Sequence, residues 1–209
     1  MNLLIFGATG SVGCLVVEQA LEKGHMVTAF VRNPEKLDIK HENLQVVKGD
    51  VMDTNSVEKA VQGKDAVVCV LGAGKKTKGT IRSEGTQQII KAMEKAGIQR
   101  LICQSTLGAG DSWENLNFFW KYIMFGFLLR DVFKDHEKQE DYVKQSKLNW
   151  TIIRPSAFID GEQTGNYRHG FSGDDQTSKL KISRADVADF ILKQLTDKSY
   201  LYKTPALSY

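Results

Sequence analysis

The sequence predicts an α/β domain: a Rossmann-type doubly wound parallel sheet with a small C-terminal substrate-side extension. Two observations predict it. Short apolar runs of strand length alternate with amphipathic stretches of helical period from Leu3 to Gln104. The first run, Leu3-Leu4-Ile5-Phe6, breaks at once into Gly7, Gly10 and Gly13, ahead of Val12, Leu15, Val16, Gln19 and Ala20 at helical spacing. A buried parallel strand, a tight turn and a helix start read in this way. Gly7 permits the turn, Gly10 a close backbone approach to a ligand, and Gly13 close packing of helix on strand. Free N–H groups at the helix start favour a phosphate. The spacing is G-x-x-G-x-x-G, and its place between strand and helix, rather than the glycines alone, marks a dinucleotide site.

The remaining elements follow in order. Gly24 closes the first helix, and Met26 to Val31 forms a second strand ending at Arg32. An acid at this point would bind a free ribose 2′-hydroxyl, whereas an arginine suits the 2′-phosphate of NADP. Arg32, with Asn33 and Lys36 nearby, therefore points to NADP(H). Leu44 to Lys48 is a third strand, and Thr54 to Val61 a short helix capped by Asp53 or Thr54. Asp65 to Leu71 is a fourth strand, running into Gly72-Ala73-Gly74. Lys75, Lys76 and Lys78 beyond it could reach a diphosphate or an acidic substrate; a solvated loop explains them equally well. Thr80 to Ala96 is a helix stopped by Gly97, and Arg100 to Gln104 a fifth strand followed by Ser105. The expected strand order is 3-2-1-4-5, with Gly7, Arg32, Asp50, Gly72 and Ser105 on one carboxyl-terminal edge.

From Trp113 to Phe133 the chain becomes densely aromatic. On an α-helical period Phe118, Tyr122, Phe125 and Leu129 share one face, while Trp120, Met124 and Phe127 lie on another. Part of this surface is core; the excess suggests a hydrophobic lid, with Trp120 and Phe127 against a substrate, or a homodimer face. Asp135 to Lys147 reads as a charged helix, with His136 a surface residue on it or, alternatively, a proton relay, and Trp150 to Arg154 as strand six. Ser156 to Asp175 reads as a long loop over the same sheet edge. Ser183-Arg184-Ala185-Asp186 has the capping-box pattern ahead of a helix facing inward through Val187, Phe190, Ile191 and Leu195. Tyr202 to Tyr209 reads as an edge strand. The 209 residues then form a single domain, with 1–110 its cofactor half and 111–209 its substrate-side half.

Composition narrows the classes. An apolar fraction of 42% and a charged fraction of 25% fit an ordinary globular protein. A net charge of +3, scattered along the chain, argues against a nucleic-acid partner. The three cysteines, Cys14, Cys69 and Cys103, have neither disulfide-framework nor zinc spacing, so no metal is expected. No apolar stretch is long enough to span a membrane, and no signal peptide opens the chain; the expected location is cytoplasmic.

Gly-Ala-Thr-Gly-Ser-Val-Gly from Gly7, Val31-Arg32-Asn33-Pro34, Gly49-Asp50-Val51 and Trp150-Thr151-Ile152-Ile153-Arg154-Pro155 resemble the atypical short-chain dehydrogenase/reductases. Within them the chain is most similar to the NAD(P)H-binding group of NmrA-like proteins and the flavin reductase (biliverdin reductase B) type, over nearly its whole length. The resemblance implies that Gly7, Thr9, Gly10, Ser11 and Val12 line the diphosphate and that Arg32 binds the 2′-phosphate. It places Asp50 and Val51 beside the adenine, Leu71 and Gly72 beside the nicotinamide ribose, and Ser105 at the active site. The superfamily's Tyr-x-x-x-Lys pair is missing: Lys147 follows Tyr142 by five residues, off the helical face that would lower the tyrosine's pKa. Ala157 stands where the flavin reductase type carries a histidine. These departures suit an NADPH-dependent reductase of a flat conjugated small molecule such as a flavin or quinone, which needs stacking more than a tuned acid. A non-catalytic NADP-binding regulator is the alternative. An isomerase, epimerase or dehydratase fits less well without the tyrosine.

Overall fold

The computed structural model describes residues 1–72, 79–173 and 175–209. Strands β1 (Asn2–Phe6), β2 (Met26–Val31), β3 (Leu44–Lys48), β4 (Ala66–Cys69), β5 (Arg100–Gln104) and β6 (Asn149–Pro155) run parallel in the order β3-β2-β1-β4-β5-β6. The expected order is thus found and continued by one strand. Successive side chains of a strand point to opposite faces. In β1, Leu3 and Ile5 accordingly enter one core layer, and Leu4 and Phe6 the other. Both faces are covered at the centre of the sheet, which is why β1 and β4 read as apolar runs, whereas the edge strand β3 is half-exposed.

Helices α1 (Ser11–Glu22) and α5 (Arg184–Lys193) cover the first face, α5 through Val187, Phe190 and Ile191. Helices α2 (Thr54–Val61), α3 (Ile81–Ala96) and α4 (Arg130–Gln145) cover the second, through Val57, Ile89, Met93 and Val143. Asp53 is the cap of α2, its carboxylate accepting from the Asn55 amide at 3.1 Å. Helix α3 borrows its cap from α4: Asp135 accepts from the Arg82 and Ser83 amides, each at 3.1 Å. Two helices are thereby locked in register beside the carboxyl ends of β4 and β5.

The C-terminal part departs from the sequence reading in three places. The stretch expected to be a loop from Ser156 contains two short strands, β7 (Ala157–Ile159) and β8 (Arg168–His169). β7 pairs with β9 (Lys181–Ser183) in a separate two-stranded parallel sheet. The tail strand, β10 (Ala206–Ser208), is not an edge: it lies between β6, to which it is parallel, and β8, to which it is antiparallel. Finally, the capping box at α5 is half formed. Ser183 Oγ accepts from the Asp186 amide at 3.0 Å, but the Asp186 carboxylate accepts from the Thr164 and Gly165 amides and the Tyr209 hydroxyl instead. Its carboxylate thus ties the 156–175 stretch and the tail to α5.

The aromatic block forms a π-helix, Phe119–Leu128, ahead of α4. Its wider turn, with the Leu129 amide donating to the Met124 carbonyl at 2.6 Å, rotates side chains away from the α-helical register. The face expected to unite Phe118, Tyr122, Phe125 and Leu129 therefore does not form. Phe125 is buried against Trp120 and Phe133, while Phe118 and Tyr122 are exposed. Helix α4, expected from Asp135, begins at Arg130. Among the described residues, no helix is long and apolar enough to cross a membrane.

Candidate functional site

At the switch point of the sheet, where the chain turns one way from β1 and the other from β4, lies a two-part cleft. The first part, about 390 Å³, is lined by Gly7, Thr9, Gly10, Ser11, Phe30, Arg32, Lys36, Gly49, Val51, Leu71 and Gly72, among others. Gly7 adopts φ +85°, and a Cβ there would lie 2.3 Å from the Val70 carbonyl oxygen. A Cβ on Gly13 would meet the Gly7 carbonyl at 2.1 Å, so Gly13 lets α1 close onto the turn itself. Gly10 differs: it has ordinary extended backbone, φ −79° and ψ 163°, and caps α1 without a side chain. The Ser11 and Val12 amides have no acceptor among the described residues. Bare amides at a helix start, beside a residue without a side chain, fit a diphosphate.

Arg32 and Lys36 are exposed at the far end of this part, and neither makes an ion pair among the described residues. No carboxylate among the described residues lines it. Asp50, expected beside the adenine, is not part of the lining: its carboxylate accepts from the Met52 amide at 3.0 Å in a turn of its own. Val51, buried next to it, does face the cleft. The lysines expected near the diphosphate, Lys75, Lys76 and Lys78, lie outside the described residues, as do Ala73 and Gly74.

The second part, about 500 Å³, opens from the first across Gly10, Ser11, Leu71 and Gly72. Its lining brings Val12, Ser105 and Trp120 together with Phe125, Leu129, Val132, Pro155 and Phe158. Phe127 is elsewhere: it is 80% exposed, because the π-helix turns it outward. Tyr142 is in neither part; it packs on the helix-covered face of the sheet with Lys138 Nζ 5.7 Å from its ring centre.

The polar groups in this apolar chamber are few. Ser105 follows β5 with its amide bonded to the Ile153 carbonyl at 2.8 Å, but its Oγ is buried with no partner among the described residues. Gln104 Oε1 and the Arg82 Nε are likewise buried and unpaired. Unpaired buried polar atoms are costly, and a ligand that pairs them removes that cost. His136 is not on the surface: it is buried and lines the chamber. Burial and the neighbouring Arg82 guanidinium push its pKa down to about 3, so the ring is neutral at physiological pH. The signal available in the sequence was the α4 face shared by Val132, His136, Gln139 and Val143, at spacings of four, three and four.

One charged group frames the chamber from behind. Arg154, 1% exposed at the end of β6, donates to both carboxylate oxygens of Glu140 on α4 at 2.9 and 2.7 Å and also pairs with Asp111. Lys144 adds a second cation to Glu140 at 2.9 Å. Burial works against ionising Glu140, but Arg154 and Lys144 prevail and hold its carboxyl below the ordinary range.

Comparison with known proteins agrees with this cleft. The family model described as NAD(P)H-binding matches residues 7–198. The oxidoreductase YlbE of Lactococcus lactis has a similar structure, with a TM-score of 0.85 at 25% identity over 100% of this chain and 90% of its own. ChuY, an anaerobilin reductase from Escherichia coli O157:H7, gives a TM-score of 0.84 at 26% identity, covering 100% and 97%. The photosystem II assembly factor Ycf39 of Synechocystis is 28% identical over 77% of this chain, which spans 46% of that protein. With the parallel sheet, the glycine turn and the bare helix start in place, this chain belongs to the NAD(P)H-binding family.

Proposed function

We propose that the chain is an NADPH-dependent reductase that passes hydride to a flat conjugated acceptor such as a flavin or quinone. The observation that carries this reading is the apolar chamber continuous with the dinucleotide cleft, with an unpaired Ser105 Oγ inside it. A bound dihydronicotinamide would supply the hydride. Ser11 and Val12 would hold the diphosphate through their amides, and Leu71 and Gly72 would pass beside the ribose. Trp120 and Phe125 would cover the acceptor and exclude water, and Ser105 Oγ would hydrogen-bond its polar edge. His136, neutral near pH 7, holds no imidazolium proton to give. A site without a tuned acid suits acceptors that take their proton from water. The likeness to ChuY adds a bilin to the acceptors worth assaying. Cytoplasmic action fits the three free thiols.

The reading makes three demands. Arg32→Ala should lower NADPH affinity by roughly 10- to 100-fold, the loss of a charge-assisted contact, and leave NADH affinity nearly unchanged. Titrating both cofactors against wild type and variant measures this; equal wild-type affinities would rule out the 2′-phosphate role. Trp120→Ala should raise the acceptor KM and spare NADPH affinity, because an apolar cover binds ground and transition states alike. Ser105→Ala should lower kcat more than it alters cofactor binding.

The second reading is an NADP-binding regulator that docks on a partner protein. The exposed row Phe118, Phe119, Tyr122, Phe127 and Leu128 favours it. Failure of every flavin, quinone, bilin and carbonyl compound to oxidise NADPH would select it.

A further inference from the structure

The buried polar groups behind the chamber form a chain that the reductase reading leaves unused. His136 Nδ1 lies 3.3 Å from Gln139 Oε1. Gln139 Nε2 donates to Thr86 Oγ1 at 2.9 Å, and Thr86 Oγ1 lies 3.3 Å from Cys69 Sγ. Gln139 is fully buried, so its amide has no water to turn toward. With its NH₂ directed at Thr86, Gln139 offers the imidazole only an oxygen. In this amide orientation a neutral ring that bonds that oxygen carries its proton on Nδ1.

The other ring nitrogen is then a bare acceptor. His136 lines the chamber, and among the described residues no donor reaches its Nε2. Gln104 Oε1 is a second acceptor without a partner there. Ser105 Oγ and Arg82 supply donors to the same space. A ligand that satisfies this set offers an N–H next to a carbonyl, the pattern of an imide or lactam. A quinone carries carbonyls alone and would leave both acceptors unmet.

We infer that His136, held as the Nδ1–H tautomer by Gln139 and Thr86, accepts a hydrogen bond at Nε2 from an N–H of the acceptor and so selects imide- or lactam-bearing heterocycles. The inference rests on the reductase reading for where the acceptor sits. Gln139 and Thr86 are positioning residues; His136 touches the ligand.

The test pairs riboflavin, whose ring carries an imide N–H, with 3-methylriboflavin, which lacks it. Binding of each to the protein–NADP⁺ complex is followed by flavin fluorescence, a readout independent of turnover. The wild type should bind riboflavin about tenfold more tightly, the worth of one hydrogen bond made in a site that otherwise leaves its acceptor bare. In His136→Leu the two ligands should bind equally. Nitrogen-15 NMR of the unmutated protein should place the His136 proton on Nδ1, and Gln139→Leu should abolish that single tautomer. Equal wild-type affinities, a methyl penalty that persists in His136→Leu, or a proton on Nε2 would each overturn the inference. Quinone-driven NADPH oxidation without riboflavin binding would overturn it and leave the reductase reading standing. The expected binding pattern without NADPH oxidation by any acceptor would uphold it and remove the reductase reading.

Discussion

Gly10→Val is expected to abolish NADPH binding while the protein still folds. Gly10 has extended backbone, φ −79° and ψ 163°, which valine adopts without strain. An added Cβ would sit 3.1 Å from the Gly7 carbonyl oxygen, a contact that small shifts relieve. The branched side chain would then stand over the Ser11 and Val12 amides, where the diphosphate belongs. Losing two charge-assisted hydrogen bonds at roughly 1.5–3 kcal/mol each corresponds to a fall in affinity of at least about 100-fold. Circular dichroism should be unchanged. Gly7→Ala and Gly13→Ala provide the contrast, since their Cβ atoms would lie 2.3 and 2.1 Å from backbone oxygens. Those variants should lose stability before they lose the cofactor. Unaltered NADPH affinity in a folded Gly10→Val would move the diphosphate away from this helix start.

Glu140→Ala should cost about 3–5 kcal/mol of stability, because it removes two charge-assisted bonds from an Arg154 guanidinium that is 1% exposed and leaves it the solvent-facing Asp111. For a chain of this size that is a fall in Tm on the order of 10 °C. Replacing both partners, Glu140→Leu with Arg154→Met, should cost far less, since no buried charge is left unpaired. The pair also carries a pH dependence. The Glu140 carboxyl is held below its ordinary range, so its contribution is present above the unfolded-state pKa and disappears as pH falls through the lower folded value. Wild-type Tm should therefore drop more steeply in acid than that of the double variant. Parallel acid profiles would remove the pair from the account of stability.

The sheet was legible because its central strands are buried on both faces and its turns carry glycine: Met26–Val31, the edge strand Leu44–Lys48 and Arg100–Gln104 fall where the residue pattern puts them. The glycine turn ahead of α1 was legible for the same reason, since backbone shape there is written in glycines. The acceptor end was not. Phe127 was placed by an α-helical period that the π-helix does not keep, so the lining falls to Trp120, Phe125 and Leu129. His136 looked isolated because Thr86, which bonds its helix neighbour Gln139, comes near only when α3 packs on α4. Asp135 and Arg154 likewise act across elements, capping α3 and tying β6 to α4. The Asp50 carboxylate closes its own turn on the Met52 amide.

The central claim is that hydride leaves NADPH for a flat acceptor in the chamber beside Ser105 and Trp120. Its most direct measurement is anaerobic NADPH oxidation, followed at 340 nm, with purified protein and a panel of flavins, quinones and a bilin. The account predicts saturable oxidation with at least one of them, a KM for that acceptor raised by Trp120→Ala, and a kcat lowered by Ser105→Ala. Tight NADPH binding with no oxidation by any member of the panel would contradict it.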